Sequence, residues 1–272
     1  MRNNLGQTEE EFLKTYNPDH FERPSLTVDD LFLTINEIPS SDVRKLSEKT
    51  IQVLLLKRTQ HPHINAWALP GVFANLNETL EESSIRALEE KTEFRDVYLE
   101  QLFTFGDLNR DKRTRVISVA YMGLVAKNTV TIKKTKDQEE TNWFTLKLIE
   151  KENRIEMILS NDNGVNLTAE LQIQNDQIKV IKSNNIAFDH AKIIYYGILR
   201  LRNKIEYTDV AFSLVPEKFT YIELQQVYEL ILNKTFTKAN FQRKVKSRVE
   251  ATEEYRTGGF RPARLFKYKP EE

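Results

Sequence analysis

A chain of 272 residues with 40% hydrophobic and 10% aromatic side chains can build the cores of two domains of ordinary size. It has no cysteine, which excludes disulfides, a thiol nucleophile, Cys-ligated zinc and iron–sulfur clusters, and its eight glycines form neither a GxGxxG nor a GxxxxGK phosphate cradle. Forty basic residues balance forty acidic ones, no apolar run approaches the roughly 18–20 residues that span a bilayer, and MRNNLGQTEEEF lacks an apolar signal core, so a cytoplasmic protein without membrane partners is expected.

In chain order, Thr8 to Tyr16 reads as a short amphipathic helix, followed by an irregular lead-in through His20, Phe21 and Arg23-Pro24. A β-rich segment runs from Leu26 to Ile35, and Ile51–Leu56 (IQVLLL) is apolar enough for a buried strand. Pro39–Lys49 connects them, and Trp67-Ala-Leu-Pro-Gly71 reads as a turn. Glu78 to Glu93 predicts a helix capped by Asn77, with Leu80, Ser84 and Leu88 at helical spacing. Val97–Phe105 and Val116–Val125 predict two strands joined by the charged loop Asp107 to Arg115.

From Val130 the character changes. Val130–Ile132, Phe144–Ile149, Arg154–Leu159, Leu167–Ile173 and Gln177–Ile181 are short strand patterns, broken by turn signals such as Asn161-Asp-Asn-Gly164 and Asn175-Asp176. They predict an antiparallel meander, polar on one side. Ile186 to Asn203 follows as a long helix, and Tyr207–Leu214 with Pro216 as a linker. His61 and His63 flank Pro62, and a surface turn explains them better than zinc in a chain with four histidines. Tyr195 and Tyr196 belong to a core or an interface.

The tail has strong local grammar. Thr220-Tyr-Ile-Glu223 is a capping box opening a helix to Leu232, and Thr237 caps a second helix with Phe236 and Phe241 placed as a hydrophobic staple. Phe241 and Val245 form the inward stripe of that helix, and the opposite face carries Ala239, Arg243, Lys246 and Ser247, flanked by Asn240 and Gln242. Two strands, about Val249–Tyr255 and Arg261–Tyr268, turn at Thr257-Gly-Gly259. Helix, short turn, basic helix and two-stranded ribbon is the order of a winged helix-turn-helix. Between Asn233 and Tyr268 ten Lys/Arg stand against three acids, a balance of +7 set against −7 elsewhere. A basic tail on an acidic body suits a polyanion-binding module.

Chemistry is to be sought around residues 78–93. With its lead-in the segment reads LPGVFANLNETLEESSIRALEEKTEF and resembles the Nudix box, G-x5-E-x7-R-E-U-x-E-E-x-G-U, with U an aliphatic residue. Seven residues separate Glu78 from Arg86, which maps the box onto Val72, Glu78, Arg86, Ala87, Leu88, Glu90, Lys91, Glu93 and Phe94. Positions 87, 90 and 91 share one helical turn, where three carboxylates could hold divalent metals against a pyrophosphate. Here they are Ala87, Glu90 and Lys91. Glu78, Arg86 and Glu90 survive, the residues that in the family brace the loop onto the helix.

FERPSLTVDDLFLTI, WALPGVF, FGDLNRDKRTRVISVAY, AFDHAKII, LRNKIEYTDVAFSLVPEKFTYIELQQVYELIL, ANFQRK and RPARLF together resemble the Nudix-related transcriptional regulators of the NrtR type. The resemblance covers most of the chain except about 150–185. It implies an α/β fold: a Nudix α/β/α sandwich with an inserted β-meander, followed by a C-terminal winged helix-turn-helix. The domains expected are 1–206, effector-sensing, and 207–272, DNA-binding. The function implied is a ligand-responsive transcriptional repressor that binds an ADP-ribose-like or sugar effector without hydrolysing it. Its effector pocket would be formed by Arg58, Phe73, Arg86, Arg113 and Arg115. Lys238, Asn240, Gln242, Arg243 and Lys246 would meet a double-stranded DNA operator, with Arg256 and Arg261 on the wing, and a homodimer is implied. No catalytic group, cofactor or metal is expected. The alternative is a Nudix hydrolase cleaving ADP-ribose-like nucleoside diphosphates with Mg²⁺, which retains Glu90 and needs replacement carboxylates, for which Asp107 and Glu82 are the nearby suggestions. A scaffold using its winged helix for protein contacts is a third reading.

Overall fold

The computed structural model describes residues 1–38, 47–93, 97–125, 131–132, 140–257 and 262–270. Helix α1 (Glu9–Thr15) opens on a capping box between Thr8 and Glu11, and buries none of its residues. Strand β1 (Ser25–Ile38) is the axis of the first domain. It pairs in parallel with β7 (Val116–Leu124) and antiparallel with β2 (Glu48–Lys57), and nine consecutive residues, Thr27 to Ile35, are buried. Such a run is covered on both faces, even though Thr27, Asp29, Asp30 and Thr34 interrupt its apolar pattern.

Trp67-Ala-Leu-Pro-Gly71 is more than the expected turn. It folds as two short strands, β3 (Trp67–Ala68) on β2 and β4 (Gly71–Phe73) on β1. Gly71 is required there, because a Cβ would come within 2.5 Å of the Asp29 Oδ1 atom and 2.7 Å of the Val28 carbonyl oxygen. Helix α2 (Leu80–Lys91) begins later than expected. Thr79, not Asn77, occupies the cap: its hydroxyl accepts from Glu82 N–H, and the Glu82 carboxylate accepts from Thr79 N–H. Glu78 is thereby left outside the helix. Strand β5 (Thr92–Glu93) pairs with β8 (Thr131–Ile132), and β6 (Tyr98–Phe105) forms one edge of the main sheet. Phe94, Val130, residues 39–46 of the first connection and the Lys91 side chain lie outside the described residues.

The meander is present as β9 (Thr141–Lys151), β10 (Arg154–Ser160), β11 (Asn166–Gln174) and β12 (Gln177–Asn184). It continues the main sheet through β9, which pairs with β2, giving the order β12-β11-β10-β9-β2-β1-β7-β6. Helix α2 covers one face through Leu88 against Phe32 and Leu54. Helix α3 (His190–Lys204) covers the other, packing Ile193, Ile194 and Ile198 with Leu31, Leu33 and the meander's Met157 and Leu171. The layers are α/β/α. The apolar pattern predicts α3 from Ile186, yet it starts at His190: Asn185 and Phe188 take positive φ (61° and 51°), and Ile186 bridges to Trp67. Of the four residues before the helix, Phe188 instead lines a cleft.

Tyr207–Leu214 is not a free linker. Val210–Leu214 is a 3-10 turn that buries Val210, Ala211 and Leu214. Strand β13 (Lys218–Phe219) then leads into α4 (Tyr221–Leu232), whose Thr220–Glu223 capping box forms as expected. Asn233 closes α4 in the left-handed region, and α5 (Lys238–Val245) follows, capped by Thr237. Phe236 and Phe241 meet at 5.9 Å between ring centroids, and Phe241 packs edge-on to Tyr228 of α4 at 5.3 Å. Strands β14 (Val249–Arg256) and β15 (Ala263–Tyr268) form the wing, with β13 as a third strand on β15. The turn at 258–259 lies outside the described residues. The sheet domain and the winged helix share one core. Gln226 of α4 donates to the Ser47 carbonyl at 2.9 Å, and Arg202 of α3 donates to that of Ile231 at 3.1 Å.

Candidate functional site

Alternate side chains of β1 point to opposite faces of the sheet, so its two adjacent carboxylates serve different layers. Asp30 faces α2 and is wholly buried; it accepts the Ser84 hydroxyl at 2.6 Å, while its second oxygen meets no hydrogen-bond partner among the described residues. Burial pushes its pKa well above the carboxylate range, and neighbouring Asp29 adds to the rise. Asp29 faces α3, where it accepts from Ser118 Oγ (2.6 Å) and Arg110 Nη2 (3.0 Å). Arg110 also grips both oxygens of Asp189, the residue before α3, through Nε (3.0 Å) and Nη2 (2.8 Å). Its side chain is only 4% exposed. Next to Asp189, His190 accepts the Leu69 N–H at Nδ1 (2.8 Å), which places the imidazole proton on Nε2, 3.6 Å from Asp29 Oδ1. Burial lowers the His190 pKa against the pull of Asp29 and Asp189, so the ring is neutral at pH 7.

Above this network opens a cleft of about 200 Å³. Arg58 lies over the Phe188 ring at 4.8 Å and donates through Nε to the Pro62 carbonyl at 2.8 Å. On the opposite wall Arg113 lies over the Phe73 ring at 5.5 Å and pairs with Asp111 at 2.7 Å. Two half-exposed arginines over aromatic faces, with Glu90 at the margin, make a slot for a planar or anionic ligand. Of the residues expected in an effector pocket, Arg58, Phe73 and Arg113 line this cleft. Arg86 lies behind its wall, donating to the Phe73 carbonyl at 2.9 Å. Arg115 lies elsewhere, donating to the Asp107 carbonyl at 3.0 Å.

The bracing half of the Nudix-like box is intact. Arg86 holds Glu78 bidentately (3.0 and 2.5 Å) and reaches Glu90 at 3.4 Å. Glu78 also accepts from Asn75 N–H (2.9 Å) and Ser83 Oγ (2.8 Å), and the Arg86 guanidinium holds its pKa far below the usual carboxylate range. The metal half does not fit a divalent ion. Ala87 offers no donor and is buried, and Glu90 is engaged by Arg86. Glu82 is spent on the α2 cap, and Asp107 pairs with Lys192 at 2.6 Å. Among the described residues no three His, Cys, Asp or Glu side chains converge on a metal position.

At the other end of the molecule, Asn240, Arg243 and Lys246 are exposed off the stripe of buried Phe241 and Val245, with Gln242 half-buried, whereas Lys238 is exposed at the first turn of α5 on the same stripe as Phe241 and Val245. Arg243 donates to Asn240 Oδ1 at 3.2 Å. Arg256 turns back to pair with Glu223 and to donate to the Lys218 carbonyl at 3.2 Å, so it braces the wing onto α4. Arg261 lies outside the described residues.

Residues 211–268 match the NrtR DNA-binding winged helix domain, and residues 40–160 match the NUDIX domain. The chain belongs to the NrtR-type Nudix-related transcriptional regulators. It is 29% identical over 265 residues to the ADPR responsive transcriptional repressor NtrR of Acinetobacter baylyi, spanning 96% of this chain and 88% of that protein. Among solved structures it resembles a MutT/nudix family protein from Enterococcus faecalis (TM-score 0.72, 27% identity, 97% and 94% of the two chains). It also resembles Shewanella oneidensis NrtR complexed with a 27mer DNA (TM-score 0.62, 28% identity, 90% and 93%). The NrtR-type order of sensing domain and winged helix is thus the order of this chain, and no described helix is long and apolar enough to cross a membrane.

Residue patterns missed the cleft's inner wall apart from Arg110, which belongs to the charged loop that the resemblance places near the pocket. Asp29, Arg110, Phe188, Asp189 and His190 come together from β1, the 107–115 loop and the start of α3. One signal was present: two carboxylates inside the apolar run LTVDDLFLTI demand buried partners.

Proposed function

We propose that the chain is a cytoplasmic transcriptional repressor whose Nudix domain binds ADP-ribose or a related nucleotide-sugar without cleaving it, and whose winged helix binds operator DNA. The observation that carries this reading is the split within the box. Arg86 and Glu78 still lock the loop against α2, which shapes the cleft, while Ala87 and an Arg86-engaged Glu90 leave no carboxylate set for metal. A site that keeps its shape and loses its metal donors binds without turning over. Arg58 and Arg113 are placed to take the pyrophosphate, with Phe73 and Phe188 beside them. The name of the Acinetobacter relative, ADPR responsive, supports that ligand class. The protein acts as a homodimer, which presents two α5 helices to half-sites about one helical turn apart.

The test is calorimetry with ADP-ribose, followed by incubation with Mg²⁺ or Mn²⁺. Saturable binding with no AMP released is expected. Metal-dependent AMP release that disappears in Glu90→Gln would establish the hydrolase instead, and absence of binding at millimolar ligand would remove ADP-ribose as the effector.

A further inference from the structure

The cleft of about 200 Å³ is smaller than the roughly 300–1,000 Å³ usual for a ligand of nucleotide-sugar size. A ligand seated on Arg58 and Arg113 has to extend beyond it, and the structure offers a continuation. On the far side of Arg110 and Phe188, which belong to both hollows, lies an open trough of about 640 Å³. Its walls come from the 107–112 loop, from β12 and from the first turn of α3. The meander, which neither the box nor the winged helix explains, therefore has a place in the site: Ile178, Lys179 and Val180 form one side.

The trough differs from the cleft in its chemistry. Three lysines line it, Lys112, Lys179 and Lys192. Of the two acids on its walls, Asp189 is held by Arg110 and Asp107 by Lys192. Lys112 and Lys179 are exposed, on opposite walls, and among the described residues Lys179 reaches the Gln174 amide oxygen at 3.4 Å. Lysines act on phosphate as point charges without the planar demands of a guanidinium. An open, wet trough with surplus ammonium groups suits a terminal phosphoryl group better than a base or an apolar ring.

We infer that this trough is a phosphoryl-binding annex of the effector cleft, in which Lys112 and Lys179 take a third phosphate carried by a nucleotide ligand whose body lies on Arg58 and Arg113. The inference rests on the ADP-ribose-like reading of the cleft and narrows it, because it ranks phosphorylated ligands above plain ADP-ribose.

The experiment compares binding of three probes to the full chain by calorimetry: ADP-ribose, its 2′-phosphate, which extends the adenosine end, and its 1″-phosphate, which extends the other. One of the two phosphorylated probes should bind about tenfold or more tightly than ADP-ribose, the gain of one charge-assisted contact. In Lys112→Ala/Lys179→Ala that advantage should vanish, while ADP-ribose itself binds within about twofold of wild type. Both lysines are exposed, so the variant keeps its fold, which its melting curve verifies. Inorganic phosphate added to the wild type should weaken the favoured phosphorylated probe more than ADP-ribose, and equal weakening of the two would overturn the annex. Equal affinity for all three probes, or an advantage that survives in the double variant, overturns the annex. Equal weakening of all three probes in the variant also overturns it, by showing that the lysines hold the common body of the ligand. Failure of ADP-ribose to bind at all is a separate result, and it refutes the reading of the cleft.

Discussion

Arg110 lies 4% exposed between the carboxylates of Asp29 and Asp189, whereas Arg243 stands in solvent on α5 beside the amide oxygen of Asn240. The first is fully engaged by two acids, while the Ser118 hydroxyl and the neutral His190 ring pack around Asp29. What it supplies is shape, because it ties β1 to the start of α3 and so sets the back wall of the cleft. The second is left over from folding. Its helix is held by Phe241 and Val245 on the opposite face, so the guanidinium is available to a partner. Buried charges position a site and exposed ones read a ligand. The same residue type does both in this chain.

Breaking that comparison at the buried end should have the largest effect. Arg110→Leu leaves two carboxylates buried without their cation, and about 3–5 kcal/mol of stability should be lost, measured as the shift in urea midpoint at unchanged slope. A loss under about 1 kcal/mol would mean that water reaches Asp29 and Asp189 and that the wall is not rigid.

At the exposed end the expectation reverses. Arg243→Ala should change stability by no more than about 0.5 kcal/mol, yet cost about 1–3 kcal/mol of operator affinity if the guanidinium reads a guanine edge. If it meets a phosphate instead, the loss should be equal across DNA sequences and the salt slope should fall by about one. Fluorescence anisotropy at two salt concentrations separates these outcomes, and unchanged DNA affinity would remove α5 as the reading helix. Between the two extremes, Thr220→Ala deletes the α4 cap and should cost about 1 kcal/mol in the same urea titration.

Acid sharpens the comparison with the smallest effect. The His190 pKa lies below its unfolded value of about 6.5, so below that pH the unfolded chain binds a proton that the folded chain refuses. Stability is retained above about pH 6.5 and falls as the pH drops. Between pH 7 and pH 6 the His190 contribution is at most about 0.7 kcal/mol, the limit set by its unfolded pKa. In His190→Asn, whose amide oxygen can still accept from Leu69 N–H, that part of the slope should disappear from pH-dependent melting curves.

The legibility of these regions in the sequence follows the distances involved. The α4–α5 unit is written locally: Thr220 and Glu223 cap over three residues, and Phe236 and Phe241 staple over five. The box brace is nearly as local, with Glu78 eight residues before Arg86. The cleft's back wall is different, since Arg110 meets Asp29 and Asp189 at separations of 81 and 79 residues, which no periodicity encodes. The start of α3 was misplaced for a related reason. Ile186 continues the apolar stripe, but the left-handed backbone at Asn185 and Phe188 bends the chain there to deliver Phe188 and Asp189 to the cleft. Arg256 shows the limit on the basic face, where a cation that counts towards +7 in composition is consumed by Glu223 in the fold.

The central claim is that one chain joins a small-molecule cleft to a DNA-reading helix through the shared core of α3 and α4. It is tested most directly by titrating the protein into a labelled duplex from upstream of its own gene, with and without saturating ADP-ribose. The account gives tight binding without ligand and a midpoint moved by at least about fivefold with it, the lower bound of ordinary allosteric coupling. It also gives no such movement in a variant carrying Arg58→Ala and Arg113→Ala. Superimposable curves for the wild type, with ADP-ribose shown by calorimetry to be bound, would contradict it.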